Sequence, residues 1–321
     1  MALPDLATIE HAAGIVYEVM PPTPQYRWPL LCERAGTDIW IKHENHTPLG
    51  AFKIRSALVY FRRLREAGGA RGTVVTATRG NHGQAVALAA RREGMDPVVY
   101  VPRGNSVAKN RAMSALGARL VEHGSEFEEA RREAVRWAQS NGHHYMPSYH
   151  EWLVEGTATY SLELFRAVPE IDVAFVPIGM GSGICGMCAA REALGLKTEI
   201  VGVVSAHARA YASSFEQRQP VEAPVTTRLA DGMACRAPHP DALEVMWRHV
   251  SRVVTVTDDE IACAIRVAYD DTHNLAEGGG AASIAAMLKE KGDLAGKRVA
   301  VVMSGGNVDR DVYAEVLNGS C

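Results

Sequence analysis

The chain has 321 residues, of which 47% are hydrophobic and 22% are charged, and its formal net charge at neutral pH is -3. This is the composition of a globular protein of one large or two ordinary domains, and the absence of a basic run argues against nucleic acid as a partner. No apolar segment reaches the ~20 residues that a membrane-spanning helix needs, and the N-terminus does not resemble a signal peptide. We therefore expect a cytoplasmic protein with no membrane partner.

The first unusual element is the segment "HENHTPLGAFKIRSALVYF", residues 43–61, in which Lys53 lies between Phe52 and Ile54. A lysine on a helix surface normally has polar neighbours. Apolar neighbours remove water from the amine, which lowers its pKa and makes it a nucleophile. A lysine of this kind is a candidate catalytic group, although a single lysine is more often an ordinary surface residue.

From residue 73 onward the chain alternates short apolar runs with Gly-rich turns and helical patterns. Valine-rich runs of this length are typical of parallel strands that are buried on both faces, with helices as crossovers, so the sequence predicts an α/β fold. The runs are "TVVTAT" (73–78), "PVVYVP" (97–102), "ARLVEHG" (118–124), "VAFVPIG" (173–179), "IVGVVSA" (200–206), "RVVTVT" (252–257) and "RVAVVMSGG" (298–306).

Ligands of open α/β sheets bind beyond the carboxyl ends of the strands, so the turns that follow these runs are the places to look for chemistry. Three such turns stand out: "TRGNHG" (78–83), "GMGSG" (179–183) and "SGGN" (304–307). The second turn precedes a helical pattern, and the N–H groups at a helix N-terminus bind phosphate. It is not a Walker loop, because no Gly-Lys-Ser/Thr follows. It also misses GxGxxG, because residue 184 is Ile where the third glycine would fall. A phosphate-bearing cofactor other than a nucleotide is therefore indicated.

Six cysteines at scattered positions are too few for a disulfide framework, which fits a reducing compartment. Cys185 and Cys188 form a CxxC that could be a redox pair or half of a metal site. We interpret them as small residues that pack a helix, because no second ligand pair follows at zinc-finger spacing.

The four motifs "GAFKIRSA", "TRGNHG", "GMGSG" and "VVMSGGNVD" occur in the order, and at roughly the spacing, of pyridoxal phosphate (PLP) enzymes of the tryptophan synthase β-like fold, fold type II. The chain resembles their serine/threonine dehydratase branch over nearly its full length. The resemblance implies two domains, each a mainly parallel sheet flanked by helices. A large PLP-binding domain would comprise 1–72 plus 151–321, and a small substrate-closing domain would comprise 73–150.

The resemblance also implies the roles of individual residues. Lys53 matches the lysine that carries the cofactor, Asn81 the asparagine at its 3-oxygen, and Ser304 the serine at its pyridine nitrogen. The implied cofactor-binding residues are Phe52, Lys53, Asn81, Gly179, Met180, Gly181, Ser182, Gly183, Glu277 and Ser304. The implied substrate-binding residues are Thr78, Arg79, Gly80, Asn81, His82, Ser148 and Tyr149. For Glu277, capping of a helix is the alternative role.

The sequence departs from the family pattern at three places. The phosphate loop, commonly four glycines, reads "GMGS", so Met180 is expected to hold a backbone geometry usually left to glycine. Arg79 replaces the serine of serine racemases, which argues against racemase activity. It suggests binding of a second substrate carboxylate, and an arginine that turns to solvent or pairs with a local acid is the alternative. Two acidic positions of a divalent-metal site are Ser205 and Tyr211 here, so we expect no metal there.

The resemblance implies a PLP-dependent ammonia-lyase that eliminates water from a 3-hydroxy-L-amino acid, giving a 2-oxo acid and ammonia. Threonine, serine, 3-hydroxyaspartate, phenylserine and a hydroxyectoine-derived amino acid remain open as substrates, and the stretches "VVSAHARAYASSF" and "RLADGMACR" look most like the hydroxyectoine sub-branch. The alternatives are β-replacement, as in cysteine synthases, and a PLP-bound regulatory protein with little turnover. A homodimer is usual in the family.

Overall fold

Two β-sheets with helices on their faces make up the computed structural model, which describes residues 1–69 and 72–321. The strands are β1 (Gln25–Arg27), β2 (Asp38–His43), β3 (Thr73–Ala77), β4 (Asp96–Val101), β5 (Arg119–Glu122), β6 (His144–Tyr145), β7 (Val173–Pro177), β8 (Glu199–Ser205), β9 (Arg252–Val256) and β10 (Arg298–Met303). The α-helices are α1 (Leu6–Tyr17), α2 (Pro29–Ala35), α3 (Lys53–Glu66), α4 (Asn81–Arg92), α5 (Val107–Ala115), α6 (Phe127–Ser140), α7 (Glu151–Ala167), α8 (Ser182–Ala193), α9 (Ala210–Gln217), α10 (Pro240–His249), α11 (Asp258–Thr272), α12 (Gly278–Lys289) and α13 (Arg310–Leu317).

The larger sheet has the strand order β1-β2-β10-β7-β8-β9, and every neighbouring pair except β1 and β2 is parallel. Its central strands are valine-rich and buried, because α7, α8 and α10 cover one face and α2, α11 and α12 cover the other. The four predicted runs from residue 173 onward form β7, β8, β9 and β10, which confirms the prediction of mainly parallel sheets.

The smaller sheet has the order β5-β4-β3-β6 and is parallel throughout. Its strands all lie within 73–150, the span predicted for the small domain, whereas the domain boundaries themselves stay predictions. Helices α4 and α5 lie on one face and α6 on the other. Between the two sheets, α3 packs against both α4 and α7.

The cysteines show one feature that the sequence did not predict. Cys263 of α11 and the C-terminal residue Cys321 form a disulfide, whereas Cys185 and Cys188 are free thiols buried in α8, in agreement with a packing role. A disulfide is uncommon in the reducing compartment that we expected. Within the described residues no helix is both long and apolar enough to cross a bilayer. The expected cytoplasmic location and homodimer stay predictions.

Four charged side chains form a closed ion cluster beneath the start of α3. Arg55 donates to both carboxylates, with Nε 2.7 Å from Glu44 and Nη1 2.7 Å from Glu163, and Lys42 Nζ lies 2.6 Å from Glu163. Arg55, Lys42 and Glu44 are fully buried and Glu163 is 8% exposed. Two positive and two negative charges balance, which is the condition under which buried charges are tolerated.

Replacement of Arg55 by alanine is expected to lower the free energy of unfolding by about 3–5 kcal/mol, because Glu44 and Glu163 would stay buried without their main partner. Urea denaturation followed by circular dichroism measures this loss. Arg65→Ala on the same helix is the matched control. Its guanidinium is 57% exposed, and its partner Glu93 also pairs with Arg62, so the loss should stay below about 1 kcal/mol. Equal losses in both variants would contradict a structural role for the cluster.

Candidate active site

The turns after β7 and β10 meet the start of α3 at one place, although they are far apart in the sequence. The N–H of Phe52 donates to the carbonyl of Ser304 at 3.0 Å, and Ala51 forms a β-bridge with Gly305. The Phe52 ring lies against Gly183, since a Cβ there would be 3.9 Å from two ring carbons. These contacts bring Lys53, the Gly-rich turn and Ser304 together.

Lys53 is the first residue of α3, and its side chain folds over a neighbouring ring. Its Nζ lies 4.5 Å from the centroid of the Phe52 ring. Lys53 takes part in no ion pair among residues 1–69 and 72–321, and burial lowers its pKa from 10.5 to about 8. The neutral fraction of the amine near physiological pH is a minority, but it is far larger than for an ordinary lysine, which agrees with the role that its apolar neighbours suggested.

The Gly-rich turn presents a row of free N–H groups where α8 begins. None of the backbone N–H groups of residues 179–184 donates to a protein acceptor within the described chain. A helix N-terminus with unpaired N–H groups is an anion site. Gly179 permits a close approach, since a Cβ would lie 2.3 Å from the carbonyl oxygen of Gly232.

The expectation for Met180 is wrong. Gly181 takes the left-handed conformation in this turn, with φ of 101°, and the non-glycine residues with positive φ in the described chain are Glu170, Arg218 and His273. The turn therefore needs a glycine at 181, where a side chain would be strained. A side chain is tolerated at 180, and Met180 packs its own against the hydrophobic core.

Asn81 is held between two side chains of the other sheet region. Its Nδ2 donates to Oε1 of Glu277 at 2.7 Å, and its Oδ1 accepts from Nδ2 of Asn307 at 2.9 Å. Glu277 precedes α12 in sequence, but its carboxylate makes no capping hydrogen bond. Burial raises the pKa of Glu277 to about 7, so this carboxyl group titrates near neutrality. Ser304 donates its hydroxyl to the carbonyl of Gly279 at 3.2 Å.

The loop from Thr78 to His82 joins β3 to α4 and is the second turn with unpaired N–H groups at the start of a helix. Thr78 Oγ1 accepts from the N–H of Gly80 at 3.0 Å, which shapes the loop, and the N–H groups of Asn81 and His82 have no acceptor in the part of the chain that the structure describes. Burial and the positive charge of Lys53 lower the pKa of His82 to about 3, so its ring is neutral. Its Nε2 lies 3.2 Å from Oγ1 of Thr76.

Three predicted substrate residues have side chains that do not join this cluster. Arg79 is 41% exposed and pairs with Glu126 at 3.8 Å. The Tyr149 ring stacks on His239 at 4.2 Å, and its hydroxyl lies 3.6 Å from the sulfur of Cys185. The partly buried Ser148 makes no side-chain hydrogen bond within residues 1–69 and 72–321. Their roles toward a substrate stay predictions.

At one of the two positions where the family resemblance puts an acidic metal ligand, Tyr211 donates its hydroxyl to the carbonyl of Met180 at 2.7 Å. Ser205 accepts from the N–H of His207 at 3.1 Å. The absence of a metal at this position stays a prediction.

Sequence reasoning missed two residues of the site. Asn307 donates to Asn81. It lies in the motif "SGGN", but nothing in the sequence indicates that Asn81 is its partner. Lys109 of α5 lies against the predicted carboxylate loop, since a Cβ at Gly80 would be 2.9 Å from its Cδ, and its Nζ is 3.4 Å from Asp231. No motif in the sequence marks Lys109.

The residues present suit pyridoxal phosphate. The unpartnered N–H groups of residues 179–184 are suited to a phosphate, and the neutral-prone amine of Lys53 is suited to an aldehyde carbon. The Ser304 hydroxyl can turn its one proton from the carbonyl of Gly279 to a ring nitrogen, and the second Nδ2 proton of Asn81 can bind a ring oxygen. Each chemical feature of the cofactor has a complementary group within this one cluster.

Comparison with known proteins gives the same picture. The family model described as "Pyridoxal-phosphate dependent enzyme" matches residues 16–305. The chain is 33% identical over 290 residues to an L-threonine ammonia-lyase of Thermotoga maritima, covering 90% of this chain and 72% of that protein. It is 29% identical to a biosynthetic L-threonine dehydratase of Salmonella typhimurium over 92% of this chain, but spans only 58% of that longer protein.

Among solved structures, the processed form of threonine deaminase isoform 2 from Solanum lycopersicum superposes with a TM-score of 0.90. The two chains are 27% identical, and the alignment covers 99% of this chain and 95% of the other. This similarity confirms the predicted fold class.

After the cofactor is removed, Lys53 should react with an amine-directed acylating reagent at a rate that rises through pH about 8, the pKa that burial gives it. The pKa of Lys53 is lowered because burial disfavours the charged form, which makes the nucleophilic amine available at lower pH. Pulse labelling at a series of pH values, read by peptide mass spectrometry, measures the midpoint, and the exposed Lys291 provides the internal reference. A midpoint for Lys53 at or above about 10 would contradict the effect of burial.

Proposed function

The chain belongs to the pyridoxal-phosphate dependent enzymes, in the serine/threonine dehydratase branch of fold type II, and from this premise we propose that it is a lyase that eliminates water from a 3-hydroxy-L-amino acid. The products would be a 2-oxo acid and ammonia. The observation that carries the proposal is the Lys53 amine, whose pKa is lowered to about 8 beside a phosphate-type anion site.

Pyridoxal phosphate, when bound, supplies an electron sink for a carbanion at the substrate Cα. We propose that Lys53 holds it through Nζ and that the N–H groups of residues 179–184 hold its phosphate. Ser304 would face its ring nitrogen, and Asn81 its ring oxygen. Phe52 and Ile54 exclude water from the Lys53 amine, which keeps a neutral fraction available.

Lys53 also serves as the general base in this proposal. Once the substrate amine has taken its place on the cofactor, the freed Lys53 amine, with a pKa of about 8, can take the Cα proton in its neutral form. As an ammonium it would then give that proton to the departing β-hydroxyl, which leaves as water. The neutral ring of His82 adds no positive charge that would lower the pKa of Lys53 further.

Ser304 favours prompt elimination over reactions that need a long-lived carbanion. A hydroxyl hydrogen-bonds a neutral ring nitrogen, whereas a carboxylate at this position would favour a protonated one. Ser304 therefore would not keep the ring nitrogen protonated, and a neutral ring is a weaker electron sink that does not prolong the lifetime of a carbanion. This suits prompt loss of the β-hydroxyl group.

The loop from Thr78 to His82 is the proposed site of the substrate carboxylate. The free N–H groups of Asn81 and His82 lie at the N-terminus of α4, where a carboxylate is stabilised. Asn81, which also faces the proposed cofactor site, would place the carboxylate next to the reacting Cα.

We propose that residues 73–150 close over the substrate. Two polar pairs support this, because each joins this span to the larger sheet region. Ser106 Oγ donates to Asp309 at 2.6 Å, and Lys109 Nζ lies 3.4 Å from Asp231. Closure of this kind removes water from the site before the proton is transferred.

Turnover on a panel of 3-hydroxy amino acids tests the proposal. The panel holds threonine, serine, 3-hydroxyaspartate, phenylserine and a hydroxyectoine-derived amino acid, and ammonia and 2-oxo acid are both measured. Lys53→Ala should lower kcat by about a thousandfold, since one group would bind the cofactor and move the proton. The exposed Lys291→Ala is the matched control and should keep full activity.

Ammonia release that survives Lys53→Ala would overturn the proposal. A thiol amino acid that forms only when sulfide is added would instead indicate β-replacement. Spectral changes on addition of amino acids without product would indicate a binding protein.

Arg79 is the proposed contact for a second substrate carboxylate. Its exposed ion pair with Glu126 is worth at most about 1 kcal/mol, so the side chain can leave it at little cost. Arg79→Ala should lower kcat/KM for 3-hydroxyaspartate by about tenfold and leave threonine within about twofold. Unchanged turnover of 3-hydroxyaspartate would exclude this role.

A further inference from the structure

The Gly-rich turn is contacted on its carbonyl side by three buried hydroxyl groups, and we infer that Tyr211, Thr157 and Tyr160 are positioning residues for the cofactor phosphate. They hold the peptide carbonyls of the turn so that the N–H groups face the anion site. The inference rests on the cofactor and its phosphate, and it does not depend on which reaction follows.

The three contacts are direct and inaccessible to solvent. Tyr211 donates to the carbonyl of Met180 at 2.7 Å and Tyr160 to that of Gly183 at 3.2 Å. The shortest contact of the Thr157 hydroxyl is with the carbonyl of Ser182, at 2.7 Å. Its other acceptors are two carbonyls of its own helix, at 3.0 and 3.2 Å. Tyr211 and Tyr160 are each 1% exposed and Thr157 is fully buried. Two helices supply the hydroxyls, since Tyr211 lies on α9 and the other two lie on α7.

A trans peptide group holds its C=O and its N–H on opposite sides. The carbonyl of Met180 and the N–H of Gly181 belong to the same peptide, so a hydroxyl bound to the first directs the second away from that hydroxyl. The same relation joins the carbonyl of Ser182 to the N–H of Gly183, and the carbonyl of Gly183 to the N–H of Ile184. The Tyr211 hydroxyl therefore aims the N–H of Gly181 toward the opposite side of the turn. The other two hydroxyls hold the first two peptides of α8, and they act together with the helix, which sets the same direction.

The turn needs such a constraint because it is rich in glycine. Gly181 has φ of 101°, and glycine can exchange between left-handed and right-handed conformations at low cost. A flip of the peptide between Met180 and Gly181 would turn a carbonyl oxygen toward the phosphate in place of an N–H. The Tyr211 hydroxyl opposes this flip, because its proton binds the carbonyl of Met180 while its oxygen accepts from the N–H of His239 at 3.1 Å.

Tyr160 also connects the turn to the lysine. Its ring meets the Phe52 ring edge-on, with centroids 6.1 Å apart, and Phe52 in turn lies under Lys53 Nζ. The phosphate end and the amine end of the site thus share a support. Tyr160→Phe keeps the ring that contacts Phe52 and removes only the hydroxyl that contacts the carbonyl of Gly183, so this variant should affect phosphate binding and spare the amine.

Comparison of two ligands isolates the role of the phosphate. Apo protein, prepared with hydroxylamine, is titrated with pyridoxal phosphate and separately with pyridoxal, which lacks the phosphate, and binding is followed by absorbance. In Tyr211→Phe, Thr157→Val and Tyr160→Phe, the Kd for pyridoxal phosphate should rise about fivefold or more, as expected for the loss of one hydrogen bond. The Kd for pyridoxal should stay within about twofold.

Two matched controls remove a buried hydroxyl elsewhere. Tyr60→Phe loses a bond to His144, and Thr198→Val loses a bond to the carbonyl of Ile171. Both hydroxyls belong to buried residues, so these variants report the general cost of such a loss. Neither should change the Kd for pyridoxal phosphate. Inorganic phosphate should compete with pyridoxal phosphate less well in the three turn variants than in the original protein, and equally well in the two controls.

Equal weakening of both ligands would overturn the inference, because it would show a general loss of structure. An unchanged Kd for pyridoxal phosphate in all three turn variants would overturn it as well. Thermal unfolding of each apo variant identifies a variant that fails to fold, and the remaining two then decide. Because only binding is measured, failure here leaves the proposed reaction untouched, and failure of the substrate panel leaves this inference untouched.

Discussion

The buried charges beneath α3 are the constraint on which the site depends. Arg55 joins Glu44, which follows β2, to Glu163 on α7, and Lys42 on β2 completes the set. Since Arg55 lies two residues after Lys53, the same contacts that neutralise the cluster hold the first turn of α3 in place. The position of the Lys53 amine therefore depends on the larger sheet and on α7. The first turn of α3 carries both this amine and the arginine of the ion cluster.

The site above this cluster contains two electrostatic environments, which are the positive N-termini of two helices and the buried region between them. The N-termini of α8 and α4 offer unpartnered N–H groups and thus partial positive charge, which suits a phosphate and a carboxylate. Between them, burial lowers the pKa of both Lys53 and His82, and the His82 ring is neutral, so it does not repel the Lys53 amine when that amine is protonated. Anions are held by fixed backbone dipoles, while the one group that must exchange a proton keeps a pKa near the working pH.

Particular residues show where prediction from the sequence succeeded and where it failed. Lys53 was singled out because its apolar neighbours along the chain imply desolvation, and the resemblance of four motifs to the family assigned its role. The geometry assigned to Met180 was wrong, because the sequence does not reveal which peptide of a turn adopts positive φ. The disulfide of Cys263 and Cys321 was missed, since its partners are 58 residues apart and meet only when α11 and the chain end are folded.

The sequence alone determined the α/β class, the parallel strands, the three turns at the strand ends and the family, because hydrophobic periodicity and short motifs are local properties. The tertiary structure decided which groups meet. It paired Asn81 with Glu277 and Asn307, turned Arg79 toward Glu126, and placed the hydroxyl of Tyr211 behind the Gly-rich turn. Contacts of this kind depend on how distant segments pack and on the direction in which each side chain leaves its helix, and neither is encoded within a short stretch of sequence.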